Sequence, residues 1–64
     1  MILVDFVSQG ESIKTATLPV LPDVGDSITF APNGTYVSYG YKVVHKQFIL
    51  SGSGLKCDIF VVRY

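Results

Sequence analysis

The residues best able to do chemistry in this chain are one histidine, His45, and one cysteine, Cys57. A catalytic histidine works as a base with a carboxylate or hydroxyl group beside it, whereas His45 follows two valines and precedes a lysine. Cys57 alternates in phase with Leu55 and Ile59, which is typical of a small buried side chain rather than a nucleophile. The sequence therefore predicts no catalytic residue and a protein that is not an enzyme.

Asp23 and Asp26 flank Val24-Gly25 and form the best-spaced pair of oxygen ligands. A calcium loop uses about six to eight oxygens, and one histidine with one cysteine cannot build a zinc site. Aspartates at such positions commonly bond to the backbone of a turn before a strand. We therefore expect no metal site and no cofactor.

Aromatic and cationic side chains interleave most densely between Tyr36 and Lys46. This pattern on a sheet is how small barrels stack bases and hold phosphates. Alternation places Tyr36 and Lys42 on one face and Tyr39, Tyr41 and His45 on the other. The predicted ligand-binding residues are Tyr36, Tyr39, Tyr41, Lys42, His45, Lys46 and Arg63. The alternative is an ordinary strand whose lysines protect a sheet edge from aggregation.

Strand-forming residues punctuated by glycine and proline dominate the chain. Strands are predicted over 1–8, 13–18, 27–31, 35–50 and 55–64, with no helix. The irregular segment from Pro19 to Asp26 is expected to cover a sheet edge, with Val20, Leu21 and Val24 entering the core. These elements predict a single all-β domain over 1–64, as a small antiparallel sheet or an SH3/OB-like barrel of five to six short strands.

Two local signals refine this prediction. Asn33-Gly34 supplies the two positive-φ positions of a type I′ turn and predicts a hairpin. The apolar phase shifts at the consecutive pair Val43-Val44, which predicts a β-bulge.

The composition favours association over solubility. The 64 residues are 48% hydrophobic and 16% charged, with five basic and five acidic side chains and a formal net charge of zero. A chain this short buries only about 60% of its unfolded surface, and zero net charge promotes association. Equal numbers of acidic and basic side chains also argue against a dedicated nucleic-acid-binding protein, which carries an excess of positive charge.

No secretory signal pattern precedes the first strand, and no apolar run is long enough to span a membrane. With one free cysteine, these features predict a cytoplasmic protein without membrane association.

The first and last strands are apolar on both faces. A strand with one face on a core should alternate with polar residues, but this alternation fails for the surplus side chains Leu3, Val7, Phe60, Val62 and Tyr64. We expect these five residues to mediate self-association as a dimer or larger homo-oligomer. The alternative is that the segment from Pro19 to Val24 covers them within a tightly rolled barrel.

The runs Leu18-Pro19 through Phe30 and Tyr41 through Phe48 resemble small uncharacterised β proteins of bacteria and phages, in which a Pro-x-Val-Gly-Asp element leads into a hairpin-rich domain. The resemblance covers about half the chain. It implies a compact β domain, no active site, and a role such as a phage-encoded inhibitor of a host defence component.

Three functions are compatible with the sequence. The first is a non-catalytic module that self-associates and binds a protein partner. The second sequesters a nucleotide or another phosphate-bearing ligand at a subunit interface. The third is a small barrel that binds nucleic acid.

Overall fold

The computed structural model describes residues 1–63, whose regular structure consists of strands. Along the chain these are β1 (Ile2–Ser8), β2 (Glu11–Leu18), β3 (Ser27–Phe30), β4 (Tyr39–Ser51) and β5 (Gly54–Arg63). They form one sheet in the order β2-β1-β5-β4-β3, curled into a half-barrel. β1 and β5 run parallel, and the other neighbouring strands run antiparallel. The predicted small all-β fold is confirmed, with a mixed sheet.

The two faces of the curled sheet differ in chemistry because successive side chains point to opposite sides. The inner face carries the core, whose buried members among residues 1–63 are Val4, Phe6, Tyr41, Val43, Cys57, Ile59 and Val61. The outer face carries the alternate residues of β1 and β5, namely Leu3, Asp5, Val7, Lys56, Asp58, Phe60 and Val62.

An aromatic cluster closes one end of the inner face. The Phe30 ring lies 4.8 Å from the Phe6 ring and 4.5 Å from the Tyr41 ring, centroid to centroid. The second pair is stacked, with planes 18° apart. Such contacts stabilise aromatic pairs by about 0.5–1.5 kcal/mol beyond the area they bury. The cluster thereby joins β3, at one edge of the sheet, to β1 near its centre.

A bulge in β4 confirms the predicted phase shift. Val43 pairs with Val61 and His45 pairs with Phe60, so Val44 is the extra residue. The extra residue moves His45 to the outer face, while Tyr39 and Tyr41 remain on the inner face. The predicted common face of Tyr39, Tyr41 and His45 is therefore wrong.

The type I′ turn occurs at a different place from the predicted one. Gln9 and Gly10, which join β1 to β2, have φ values of 53° and 79°, the two positive angles that this turn requires. At the predicted site only Gly34 has a positive φ, of 81°. Asn33-Gly34 instead lies within the longer connection from β3 to β4. Residues 35–38, predicted to be strand, belong to that connection.

The segment between β2 and β3 contributes less to the core than predicted. Leu21 packs against the core, but Val20 is 77% exposed and Val24 is also exposed. The end of the segment extends the β3 side of the sheet. There the Gly25 N–H donates to the Val43 carbonyl at 2.8 Å, and the Val43 N–H donates to the Asp26 carbonyl at 2.9 Å.

Residues 1–63 contain no helix with the length and apolar character needed to cross a membrane.

Candidate binding surfaces

The predicted ligand-binding residues are divided between the two faces and a loop. Tyr41 is only 5% exposed and belongs to the core. The Arg63 guanidinium lies 3.6 Å from the centre of the Tyr39 ring, a cation–π contact. The Lys46 ammonium, on the inner face, pairs with Asp23 Oδ1 at 3.3 Å. These residues therefore make contacts within the chain.

The remaining three predicted ligand residues are exposed. Tyr36 is fully exposed in the connection before β4. Lys42 and His45 lie on the outer face of β4, opposite Val62 and Phe60 respectively. The structure brings together Lys42 and His45 but places Tyr36 in a different element, because the strand predicted to hold all three begins only at Tyr39.

The four predicted self-association residues that the structure describes share the outer face but do not form one apolar patch. Val7 and Phe60 are directly opposite each other, and both are half-buried. Val62 is 49% exposed, and Leu3 is also exposed. Tyr64, the fifth residue of the predicted set, lies outside the described residues. A charged strip, defined as Asp5, Lys56 and Asp58, separates Leu3 from Val7, Phe60 and Val62.

The charged strip is held by short contacts. Lys56 Nζ lies 2.6 Å from Asp5 Oδ2 and 3.6 Å from Asp58 Oδ1. The Thr15 hydroxyl donates to Asp5 Oδ1 at 2.9 Å. The hydrogen bond from Lys56, followed by that from Thr15, lowers the pKa of Asp5. The same bond with Asp5 raises the pKa of Lys56. Both shifts favour the charged forms, so the strip keeps the middle of the outer face polar.

The open edge of β4, defined as residues 44–51, is a strand edge that no other strand covers within residues 1–63. β3 pairs with β4 only from Tyr39 to Lys42, and the bonds from Gly25 and Asp26 end at Val43. Within residues 1–63, β5 is the strand that pairs with residues 45–51. An unpaired strand edge presents donors and acceptors that can bind another strand.

Apolar side chains surround this open edge on both faces. Phe48 and Leu50 continue the inner face and are 55% and 83% exposed. Leu55, opposite Leu50, is also exposed. Ile49 is exposed on the outer face. The sequence signal for this surface is the unbroken apolar run Phe48-Ile49-Leu50 directly before a Ser-Gly turn. Strand periodicity places Phe48 and Leu50 in the strand but does not by itself indicate a binding surface.

A second candidate surface is an apolar cleft between β2 and β3, the two strands at the ends of the sheet. Its volume is about 540 Å³, and its apolar walls include Phe6, Ala16, Leu18, Leu21, Ile28 and Phe30. Lys14 and Asp26 also line it. The cleft exists because the half-barrel brings the edges of the sheet near each other without pairing them. Sequence reasoning missed it because this approach depends on the curl of the whole sheet.

Metal-binding or nucleophilic chemistry has little support in this geometry. Asp26 Oδ2 accepts the Asp23 N–H at 2.8 Å, as a turn-forming aspartate does. Residues 1–63 hold no group of three or more histidine, cysteine, aspartate or glutamate side chains suited to a metal ion. Cys57 is buried without exposure, and burial raises the pKa of its thiol, which disfavours the reactive thiolate.

Comparisons with protein families, with curated proteins and with solved structures found no match. The resemblance to small bacterial and phage β proteins therefore stays a prediction.

Proposed function

We propose that this protein is a non-catalytic binding module that self-associates through the open edge of β4. The observation that carries the proposal is the combination of unpaired backbone over residues 44–51 with exposed Phe48 and Leu50 beside it. Long, apolar edge strands pair readily with other strands. Backbone hydrogen bonds supply affinity in such strand addition, and flanking side chains supply specificity.

Along β4, the backbone groups of successive residues point alternately toward β5 and away from it, and those that point away can bond to another strand. Ser51 and Gly54 close the two-residue β4–β5 turn, and such a closing pair exchanges hydrogen bonds. Alternate residues of β4 then point their N–H and carbonyl groups away from β5. On this pattern Lys46, Phe48 and Leu50 present their backbone groups at the open edge.

A second copy of the chain fits this edge. Antiparallel pairing about a twofold axis places Phe48 opposite Phe48 of the second copy and Lys46 opposite its Leu50. Aromatic pairs directly opposite each other stabilise neighbouring strands, whereas like charges destabilise them. The edge contains no acidic residue, and its Lys46 already pairs with Asp23. The register therefore joins aromatic to aromatic and brings no like charges together.

The cations of the chain give weaker support to a nucleic-acid or nucleotide site. Lys46 and Lys56 are in ion pairs, and Arg63 stacks on Tyr39. A surface that binds phosphates needs cations gathered on one side. Lys42 and His45, on the outer face, do not amount to such a surface.

The test compares two charged variants of one exposed position. Leu50→Lys faces Lys46 of the second copy in the proposed register, and Leu50→Glu faces the same lysine with opposite charge. Light scattering after size-exclusion chromatography should give twice the 7.0 kDa chain mass for the wild-type protein. Leu50→Lys should be monomeric, and Leu50→Glu should remain dimeric. Val24→Lys, at an exposed loop position, is the control and should remain dimeric.

A wild-type protein that stays monomeric at high concentration would overturn the proposal. So would a dimer that survives Leu50→Lys, because the contact would then lie elsewhere. Loss of the dimer in both charged variants would support the edge but reject the register. Co-purification of wild-type chains with an extended segment of another protein would assign the edge to that partner instead.

A further inference from the structure

The cleft between β2 and β3 has the dimensions and lining of a small-molecule site. Its volume of about 540 Å³ lies within the roughly 300–1,000 Å³ typical of ligand pockets, which are mostly apolar with a few polar groups. Ala16 contributes a short side chain to the middle of its β2 wall. Leu21 and Pro22 line the cleft from the segment between β2 and β3.

Lys14 marks one end of the cleft. It pairs with Phe6 across β1 and β2, and the Phe6 ring lies 4.8 Å from Phe30, so Lys14 lies near the Phe30 end. The Lys14 side chain is half-buried. Within residues 1–63 its ammonium has no hydrogen-bond or ion-pair partner, unlike those of Lys46 and Lys56. Lys14 therefore offers an ammonium at this end of the cleft that can pair with an anionic group of a ligand.

Asp26 fixes the opposite end. It precedes β3, whereas Phe30 ends that strand, so Phe30 is four positions further along the chain, or roughly 13 Å of extended chain. The Asp26 carboxylate accepts the Asp23 N–H at 2.8 Å. A negative ligand group is repelled from this end and attracted to the Lys14 end. The apolar wall formed by Ala16, Leu18 and Ile28 lies between the two charges.

We infer that the cleft binds a small amphipathic acid, with its carboxylate on Lys14 and its hydrocarbon body along Ala16, Leu18 and Ile28. The ammonium–carboxylate contact is a charge-assisted hydrogen bond, which is stronger than a neutral one. Burial of the hydrocarbon chain away from water adds favourable free energy of binding. This inference does not depend on self-association, since the cleft and the open edge of β4 lie on different strands.

The experiment titrates isotope-labelled protein with decanoate and, separately, with 1-decanol, and follows the backbone amides by NMR. Both ligands should shift amides of β2 and β3, and decanoate should bind more tightly. Lys14→Met keeps the length of the side chain and removes the charge. It should lower the affinity for decanoate about tenfold, the order expected for a hydrogen bond to a charged group. The affinity for 1-decanol should not change. Lys42→Met, on the outer face, is the matched control and should change neither affinity.

A second variant, Ala16→Leu, tests the position of the hydrocarbon chain. It should lower the affinity for both ligands because the larger side chain fills the cleft. Its amide spectrum reports whether the sheet is intact, and Lys14→Met tests the site independently if the sheet is not. The inference is overturned if decanoate shifts no amides of β2 or β3. It is equally overturned if Lys14→Met leaves the decanoate affinity unchanged or weakens 1-decanol to the same extent. The Leu50→Lys protein should bind decanoate as the wild-type protein does, which separates this result from the fate of the proposed dimer.

Discussion

At the scale of single residues, Asp5 links charge to stability on the outer face. The parallel pairing of β1 and β5 places Asp5 directly opposite Asp58, and like charges in that position destabilise a sheet. The Lys56 ammonium, 2.6 Å from Asp5, offsets this repulsion. The pKa of Asp5 is lowered because the hydrogen bonds from Lys56 and Thr15 outweigh the effect of its partial burial.

The sign of the pH dependence follows from that shift. A carboxyl group whose pKa is lower in the folded state adds stability above its unfolded pKa, which is about 3.9. That stability is lost as the pH falls through the folded pKa. Asp5→Asn should therefore reduce the free energy of unfolding by about 1 kcal/mol at neutral pH. The difference from the wild-type protein should begin to shrink below about pH 4, where the unfolded chain becomes protonated. It should disappear only as the pH falls below the lowered pKa of Asp5 in the folded state.

Urea unfolding at neutral and acidic pH measures this difference directly. Glu11→Gln, at an exposed position, is the control and should change the free energy of unfolding little at either pH. A constant difference between Asp5→Asn and wild type across the pH range would contradict the electrostatic explanation and indicate a packing effect.

At the scale of elements, the β1–β2 turn contains a residue poorly suited to its conformation. Gln9 has a φ of 53°, and the left-handed region costs a non-glycine residue roughly 1–2 kcal/mol, with asparagine better tolerated. Gln9→Asn creates the Asn-Gly pair preferred in type I′ turns. We expect it to raise the free energy of unfolding by about 0.5 kcal/mol, measured by thermal or urea unfolding. The reverse exchange Asn33→Gln, at a residue without positive φ, should be nearly neutral. A destabilised Gln9→Asn protein would refute this account.

Local sequence patterns predicted the elements better than their arrangement. The alternation of Val4 and Phe6 and the doubled Val43-Val44 were sufficient to predict β1 and the bulge, because both depend on neighbours along the chain. The parallel pairing of β1 with β5 joins the two ends of the sequence, and no local pattern specifies it. The same holds for the turns, since Asn33-Gly34 has the stronger turn sequence but Gln9-Gly10 adopts the type I′ angles.

The candidate site was harder to predict than the fold for a related reason. The set from Tyr36 to Lys46 depended on an unbroken strand, but the strand begins at Tyr39 and changes phase at Val44. One extra residue in a strand shifts the alternation, so that every later side chain lies on the opposite face of the sheet. The apolar surplus was assigned to the first and last strands, whereas the structure exposes more of it at Phe48 and Leu50.

At the scale of the whole molecule, the half-barrel of residues 1–63 has a thin core and strand edges at β2, at β3 and over the end of β4 that pair with no other strand. The edge at β2 is partly closed by the Asn33 N–H, which donates to the Ile13 carbonyl at 2.8 Å. The open edge of β4 has no such closure within residues 1–63. Proteins of this size commonly gain stability from a disulfide, a metal or a partner subunit, and a single cysteine excludes a disulfide within the chain. Association through the open edge of β4 is the route that we propose.

If association stabilises the fold, the thermal midpoint must depend on protein concentration. With an unfolding enthalpy of about 0.7 kcal/mol per residue for two paired chains, the wild-type midpoint should rise by roughly 5 °C for each tenfold increase in concentration above the dissociation constant. Leu50 is 83% exposed, so in a monomer its replacement by lysine should cost little. The Leu50→Lys midpoint should therefore match the wild type in dilute solution and fall behind it as concentration rises. A folded dimer that unfolds into two separate chains must have a midpoint that rises with protein concentration. A wild-type midpoint that is independent of concentration would therefore show that the single half-barrel is stable without a partner.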